Sequence, residues 1–241
     1  MDESCINIYT RMSVSKKDAI INIKATGLIP VYFHHDVDML LRSVSVSYAC
    51  GIRAFEFMHQ RDNKGLRYFE YLVERLDKFP GLMLGVGTVL DATMTERYIH
   101  SGASFIASPF LRPDMGEVCQ RHDILWMPGC SAAPEIEKAK ALGAQVINVS
   151  PGNVLGPDFV ATVARQFTDL QFIPSGIADL RDAELMKWFE SGAMAVKLNA
   201  LLFTKDLIAE KNWKAIEHNL LALLKSIRKI QATVKPLNIL K

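Results

Sequence analysis

Short apolar runs alternate with amphipathic stretches along most of this 241-residue chain, and that repeat restricts the fold more than any other feature. Leu28-Ile29-Pro30-Val31-Tyr32-Phe33 is the first run, nearly continuous in apolar residues, as a parallel strand buried on both faces requires. Further strands are expected at 52–58, 83–87, 104–107, 124–127, 145–149, 170–173 and 194–198. Helices are expected between them at 36–50, 65–78, 92–101, 113–122, 133–142, 157–167 and 180–190, with more helix after Lys205. Three helices end in a Gly-Ala step just before the next strand: Gly102-Ala103, Gly143-Ala144 and Gly192-Ala193. A glycine there supplies the left-handed residue that stops a helix. Eight such units joined by short loops predict a (β/α)₈ TIM barrel, with an open doubly wound sheet as the runner-up. No GxGxxG fingerprint or phosphate-binding P-loop supports the runner-up.

No shift of composition marks a second domain, so residues 1–241 are expected to form one TIM-barrel domain. Residues 1–14 read as a loose leader and 231–241 as a tail. Lys16–Thr26 has helical spacing of Ala19, Ile20 and Ile23 and would cover the bottom of the barrel. The last helix is expected over roughly 213–229. Net charge is +2, which gives no bias toward nucleic acid or a membrane surface. The four cysteines, Cys5, Cys50, Cys119 and Cys130, show no CxxC pairing and read as reduced thiols. With no leader pattern and no apolar run near ~18 residues, a cytoplasmic protein is expected.

In a barrel of this kind the chemistry sits at the C-terminal ends of the strands. Glu56 is a carboxylate inside the apolar run Ala54-Phe55-Glu56-Phe57-Met58, a costly placement without a partner or a task. The competing explanation is a buried ion pair with Arg53 or Arg61. Gly87-Thr88 ends the third run, and Asp91 is placed to cap the helix after it. His34, His35, Asp36, Glu56 and His59 could gather at the mouth around a divalent metal, although their spacing is not diagnostic. No metal site is therefore assigned.

The pieces Gly27-Leu28-Ile29-Pro30-Val31, Phe55-Glu56-Phe57, Gly85-Val86-Gly87-Thr88-Val89-Leu90, Ile106-Ala107-Ser108-Pro109, Met127-Pro128-Gly129, Pro151 and Pro174-Ser175-Gly176-Ile177 follow one another in order. With this ordered set, spanning most of residues 16–205, the chain resembles the 2-keto-3-deoxy-6-phosphogluconate / 4-hydroxy-2-oxoglutarate aldolase family. The resemblance implies a lyase: class I aldol cleavage of a small 2-keto acid to give pyruvate, with no cofactor and a homotrimer. It implies that Glu56 moves protons, that Thr88 lines the pyruvate pocket, and that Pro109 and Pro128 shape it.

Departures from the family pattern are equally specific. Counting back from Pro151, the Schiff-base lysine position holds Asn148, which has no nucleophilic amine. The family arginine that holds the substrate carboxylate falls on Gln60, with Arg61 one residue on. Of the family's glycine-rich phosphate cradle, the turn after the seventh strand keeps Ser175-Gly176. The eighth strand instead gives Lys197-Leu198-Asn199-Ala200, so weak anion binding is expected. Lys197 is the candidate substitute amine, ahead of Lys64. Two rival readings stand beside the aldolase: a non-catalytic relative that binds a keto acid or sugar acid, and a metal-assisted or enolising enzyme on the same barrel.

Overall fold

A computed structural model describes residues 15–60, 64–199 and 201–234. Strand β1 (Leu28–Tyr32) follows helix α1 (Lys16–Thr26), and Gly27 between them takes φ 68°, the left-handed conformation expected of a helix-stopping glycine. Then come α2 (Val37–Ala49), β2 (Ala54–Met58), α3 (Gly65–Val73), a single 3₁₀ turn (Leu76–Lys78), β3 (Met83–Gly87) and α4 (Ala92–His100). They are followed by β4 (Phe105–Ala107), α5 (Pro113–Arg121), β5 (Leu125–Met127), β6 (Gly129–Cys130), α6 (Ala133–Ala141) and β7 (Val146–Val149). The chain closes with α7 (Gly152–Gln166), β8 (Gln171–Pro174), α8 (Asp182–Glu190), β9 (Val196–Leu198), α9 (Lys205–Ala209) and α10 (Trp213–Thr233). Asp36 caps α2 by accepting from the amides of Asp38 and Met39, and Asp91 caps α4 by accepting from Met94.

All paired strands are parallel, and the sheet is curled. Its ladders run in two parts, β5-β4-β3-β2-β1-β9 and β6-β7-β8, where one ladder of eight strands was expected. Proline causes one seam. Pro128 has no N–H to give a ladder, and it separates β5, which falls within the expected fifth strand 124–127, from an unforeseen two-residue strand β6. Its carbonyl still accepts from the Asn148 amide at 3.0 Å. At the other seam Met194 N–H donates to Phe172 O at 2.8 Å, beside an isolated parallel bridge from Phe172 to Ala193.

Strand side chains alternate between two apolar layers. The inner layer holds Ile29, Ala54, Met83, Phe105, Ala107, Leu125, Met127, Val146 and Ile173, and Ala19 and Ile23 of α1 pack into the same cluster. α1 therefore does cover one end of the sheet. The outer layer, between sheet and helices, takes Leu28, Phe55, Phe57, Leu84, Val86, Ile106, Trp126, Ile147, Phe172 and Val196. Period two then puts Glu56 on the inner side with Ala54, Asn148 with Val146, and Lys197 between the outward Val196 and Leu198.

Several boundaries differ from expectation. The helix expected over 65–78 stops at Val73 and resumes only as the 3₁₀ turn. α7 begins at Gly152, five residues before the expected start. Gly156 (φ 75°, ψ 170°) breaks it, and the longer helical stretch restarts at Pro157, a residue suited to a first helical turn. α10 continues to Thr233, so the expected tail is shorter, and residues 235–241 lie outside the described residues. The expected leader, residues 1–14, also lies outside them. Among the described residues no helix is long and apolar enough to cross a membrane.

Candidate functional site

A cavity of about 210 Å³ opens at the C-terminal strand ends. Its walls include Glu56, Thr88, Ser108, Pro109, Asn148, Ser150, Ser175, Gly176, Lys197 and Asn199. Strand register explains the meeting. Glu56 is level with Val31 of β1 and Gly85 of β3, and Lys197 of β9 is level with Ile29 on the other side of β1. Two inward side chains one strand apart thus converge above the inner layer.

Lys197 Nζ lies 2.6 Å from Glu56 Oε2, and both side chains are almost wholly buried, at 4 % and 6 % exposure. The contact is at ion-pair distance, but Oε2 lacks a partner in hydrogen-bond geometry. The attraction is therefore mainly coulombic and leaves the oxygen able to accept from another group. Of the two arginines expected to pair with Glu56, Arg53 is turned away. Its guanidinium donates to the carbonyls of Tyr48 and Ile52 and lies 4.1 Å from the centre of the Tyr48 ring. Arg61 lies outside the described residues.

Gly87 makes room for the carboxylate. A Cβ at that position would sit 1.8 Å from Glu56 Oε1 and 2.4 Å from its Cδ. With Glu56 in this position, only a residue without a side chain fits there. Next in the chain, Thr88 holds φ 63°, a conformation that costs a β-branched residue about 1–3 kcal/mol and that gathers at functional sites. Gly129 permits a second close approach, since a Cβ there would meet Pro109 O at 2.1 Å.

Asn148 occupies the inner wall of β7 and donates from Nδ2 to Ser108 O at 3.2 Å. Its Oδ1, Ser108 Oγ and Glu56 Oε2 are all buried without a protein hydrogen bond. Buried polar atoms are nearly always satisfied. Glu56 Oε2 has the Lys197 ammonium beside it, but the other two have no protein partner, and two such atoms around one cavity suit a small polar ligand. Ser175 donates its hydroxyl to Val149 O at 3.2 Å, and the adjoining Gly176 has φ 76°.

Several expected site residues stand elsewhere. Pro128 does not line the cavity and acts on the strand break described above. Lys64 precedes α3 and is likewise absent from the wall. Gln60 turns its side-chain amide back to Met58 O. The histidines considered for a metal do not gather around Glu56. His34 Nδ1 accepts from the Asp36 amide, and His59 Nδ1 is 2.8 Å from Tyr98 Oη. Ser150, within the strand-end stretch 148–151 expected at the mouth, lines the cavity; Met58 and Val31 were not foreseen as wall residues, although inward alternation from Glu56 would have found Met58.

A second cavity of about 440 Å³ adjoins the first through Val31, Met58 and Asn199, and is walled by Tyr32, Phe33, Phe203 and Ile208. Tyr32 and Phe203 pack with ring centres 4.6 Å apart. Burial pushes the Tyr32 hydroxyl above the usual phenol range, so it stays a neutral donor.

The chain is similar to several known proteins. A 2-dehydro-3-deoxy-phosphogluconate aldolase of Treponema pallidum is 33% identical over 96 residues, 39% of this chain and 46% of that protein. Its counterpart from Zymomonas mobilis is 28% identical over 105 residues, 43% of this chain and 50% of the relative. The chain thus spans about half the length of these curated relatives. Among solved structures, a KDPG aldolase from Legionella pneumophila with pyruvate captured as a covalent carbinolamine intermediate superposes with a TM-score of 0.74. It is 20% identical, covering 85% of this chain and 97% of its own, and that likeness speaks for the fold. The family model "KDPG and KHG aldolase" matches residues 20–219. This chain therefore belongs to the KDPG and KHG aldolase family.

Proposed function

We propose that the chain is an aldehyde-lyase that cleaves a 4-hydroxy-2-oxo acid to pyruvate and an aldehyde, with Lys197 as the imine-forming amine in place of the lysine absent at position 148. One observation carries the reading: Lys197 Nζ and Glu56 Oε2 lie 2.6 Å apart at the wall of a cavity at the strand ends. A class I aldolase needs a neutral amine and an adjacent acid–base group. Glu56 takes a proton from the Lys197 ammonium, and the amine then attacks the C2 carbonyl to give a carbinolamine. Glu56 returns that proton as water leaves and the iminium forms. It next accepts the C4 hydroxyl proton while the C3–C4 bond breaks, the electron pair flows to the iminium nitrogen, and the aldehyde departs. The enamine is protonated at C3, and hydrolysis releases pyruvate.

Asn148 Oδ1 and Ser108 Oγ are the polar atoms available to orient the keto acid, with Thr88 and Pro109 at the rim. Ser175 and Gly176 hold a carboxylate weakly, because the serine hydroxyl is already given to Val149 O. Short keto acids are therefore favoured over phosphorylated ones. The architecture proposed with this chemistry is a single-domain closed eight-stranded barrel in a cytoplasmic homotrimer. Closure is supported by the Phe172–Ala193 bridge and the Asn148 N–H to Pro128 O bond.

Pyruvate with borohydride tests the chemistry. The expected result is a mass increase of one reduced pyruvate, with the label on the peptide carrying Lys197. It should vanish in Lys197→Arg, which keeps the positive charge beside Glu56 without an amine suited to imine formation. An unchanged mass in the native chain rejects the imine. One observation favours a second reading in that event: Asn148 stands where the amine is expected, and Lys197 already has a partner. The protein would then bind keto acids without cleaving them, which calorimetric titration with pyruvate would register.

A further inference from the structure

A side-chain cluster outside the cavity joins α4 to α5. Glu96 and His100 are one turn apart on α4, and His122 is the residue at the C-terminal end of α5. Glu96 Oε1 lies 2.5 Å from His122 Nε2 and 3.9 Å from His100 Nε2, and the two imidazole rings meet edge to face with centres 5.2 Å apart. The three donor atoms all fall within 4.8 Å of one another. The other oxygen, Glu96 Oε2, accepts from Arg121 Nη2 at 2.9 Å.

We infer that Glu96, His100 and His122 form a binding site for a divalent transition-metal ion that clamps α4 to α5. Two imidazole nitrogens and one carboxylate oxygen are a donor set that zinc takes, leaving the remaining position to water. Imidazole selects zinc, nickel, cobalt or copper over magnesium and calcium. Metal–ligand bonds of about 2.0–2.2 Å separate neighbouring donors by about 3–3.5 Å. His122 would move slightly away from Glu96 and His100 slightly toward it, both by side-chain torsion. The carboxylate divides its oxygens, Oε1 toward the metal and Oε2 toward Arg121. That hydrogen bond fixes the carboxylate's orientation, as partners of metal ligands commonly do.

A metal ion would take the place of the proton that joins His122 Nε2 to Glu96 Oε1, so binding releases that proton. The side chains are 32 %, 47 % and 29 % exposed, which leaves an entry path from solvent. The helices end here, at the edge of the sheet where strands begin, opposite the strand ends that bear the cavity. The ion is therefore structural and takes no part in the aldol chemistry.

Chelator-treated full-length protein should be titrated with zinc and nickel chloride by calorimetry and followed by thermal unfolding. One ion per chain is expected, with a rise in Tm that the chelator reverses. Copper(II) bound at the same stoichiometry should show nitrogen hyperfine structure from two imidazoles in its paramagnetic resonance spectrum. His100→Ala/His122→Ala should abolish the stoichiometric event and the Tm rise, and Arg121→Ala should weaken binding by about 10- to 100-fold. Because His122 also ends α5, His100→Ala alone carries the test should the double variant fail to fold. Absence of one-to-one binding in the native chain overturns the proposal. So does unchanged binding in a folded variant lacking His100.

Discussion

A methyl group at position 87 would collide with the Glu56 carboxylate. Its carbon would fall 1.8 Å from Glu56 Oε1, so Gly87→Ala must displace the carboxylate or the strand. We expect a stability loss of about 1–3 kcal/mol by denaturant unfolding, the range for overpacking a filled interior, together with slower borohydride trapping. The pair itself predicts an asymmetric result. Lys197→Met leaves a carboxylate buried without its cation, at a cost of about 3–5 kcal/mol. Lys197→Met/Glu56→Leu removes both charges and should recover most of that loss. If the double variant is no more stable than the single one, the two side chains are not coupled in solution. Glu56 was legible as an oddity because a lone carboxylate interrupts an apolar run. Lys197 was expected at the same site as a substitute amine, but not as the ion-pair partner, since 141 positions separate the two residues and Arg53 and Arg61 were nearer in sequence.

Helix starts and stops followed local chemistry. Asp36 and Asp91 cap α2 and α4 as their positions suggest. Asp91→Ala should cost about 1 kcal/mol, read from the urea midpoint, because the Met94 amide loses its acceptor. Glycines at the helix ends also took the left-handed conformation expected of them, as at Gly102, Gly143 and Gly192. The errors lay where tertiary contacts or backbone breaks override propensity. Apolar spacing continues past Val73, but the helix does not, and the segment closes as a 3₁₀ turn instead. Pro128 was visible in the sequence, but the short strand β6 that follows it carried no local signal of its own. The extra turn before Gly156 carries no cap residue, since Pro151 makes no side-chain hydrogen bond, so no local signal announced it.

For the molecule as a whole, buried thiols couple stability to alkaline pH. Burial pushes Cys119 and Cys130 from 9.0 to about 12, and Cys50 to about 11. In the unfolded chain these thiols ionise from about pH 9, while the folded chain keeps them protonated. The unfolded state therefore sheds protons first, and stability should fall as pH rises from 9 toward 12. Urea midpoints measured across that range should decline less steeply in Cys119→Ala/Cys130→Ala than in the native chain. An equal slope would mean that other groups carry the alkaline loss. The same burial predicts that these thiols resist a disulfide reagent near neutral pH until the protein unfolds. The alternation of apolar runs with capped helices determined the order of elements and the parallel sheet, because strand and helix periods and their stop signals are local properties. Only the tertiary structure decided that Lys197 faces Glu56, that Gly87 gives the carboxylate its room, and that Glu96, His100 and His122 converge. Each of those meetings depends on strand register or helix packing between residues far apart in the chain, and neither is written in any local window of sequence.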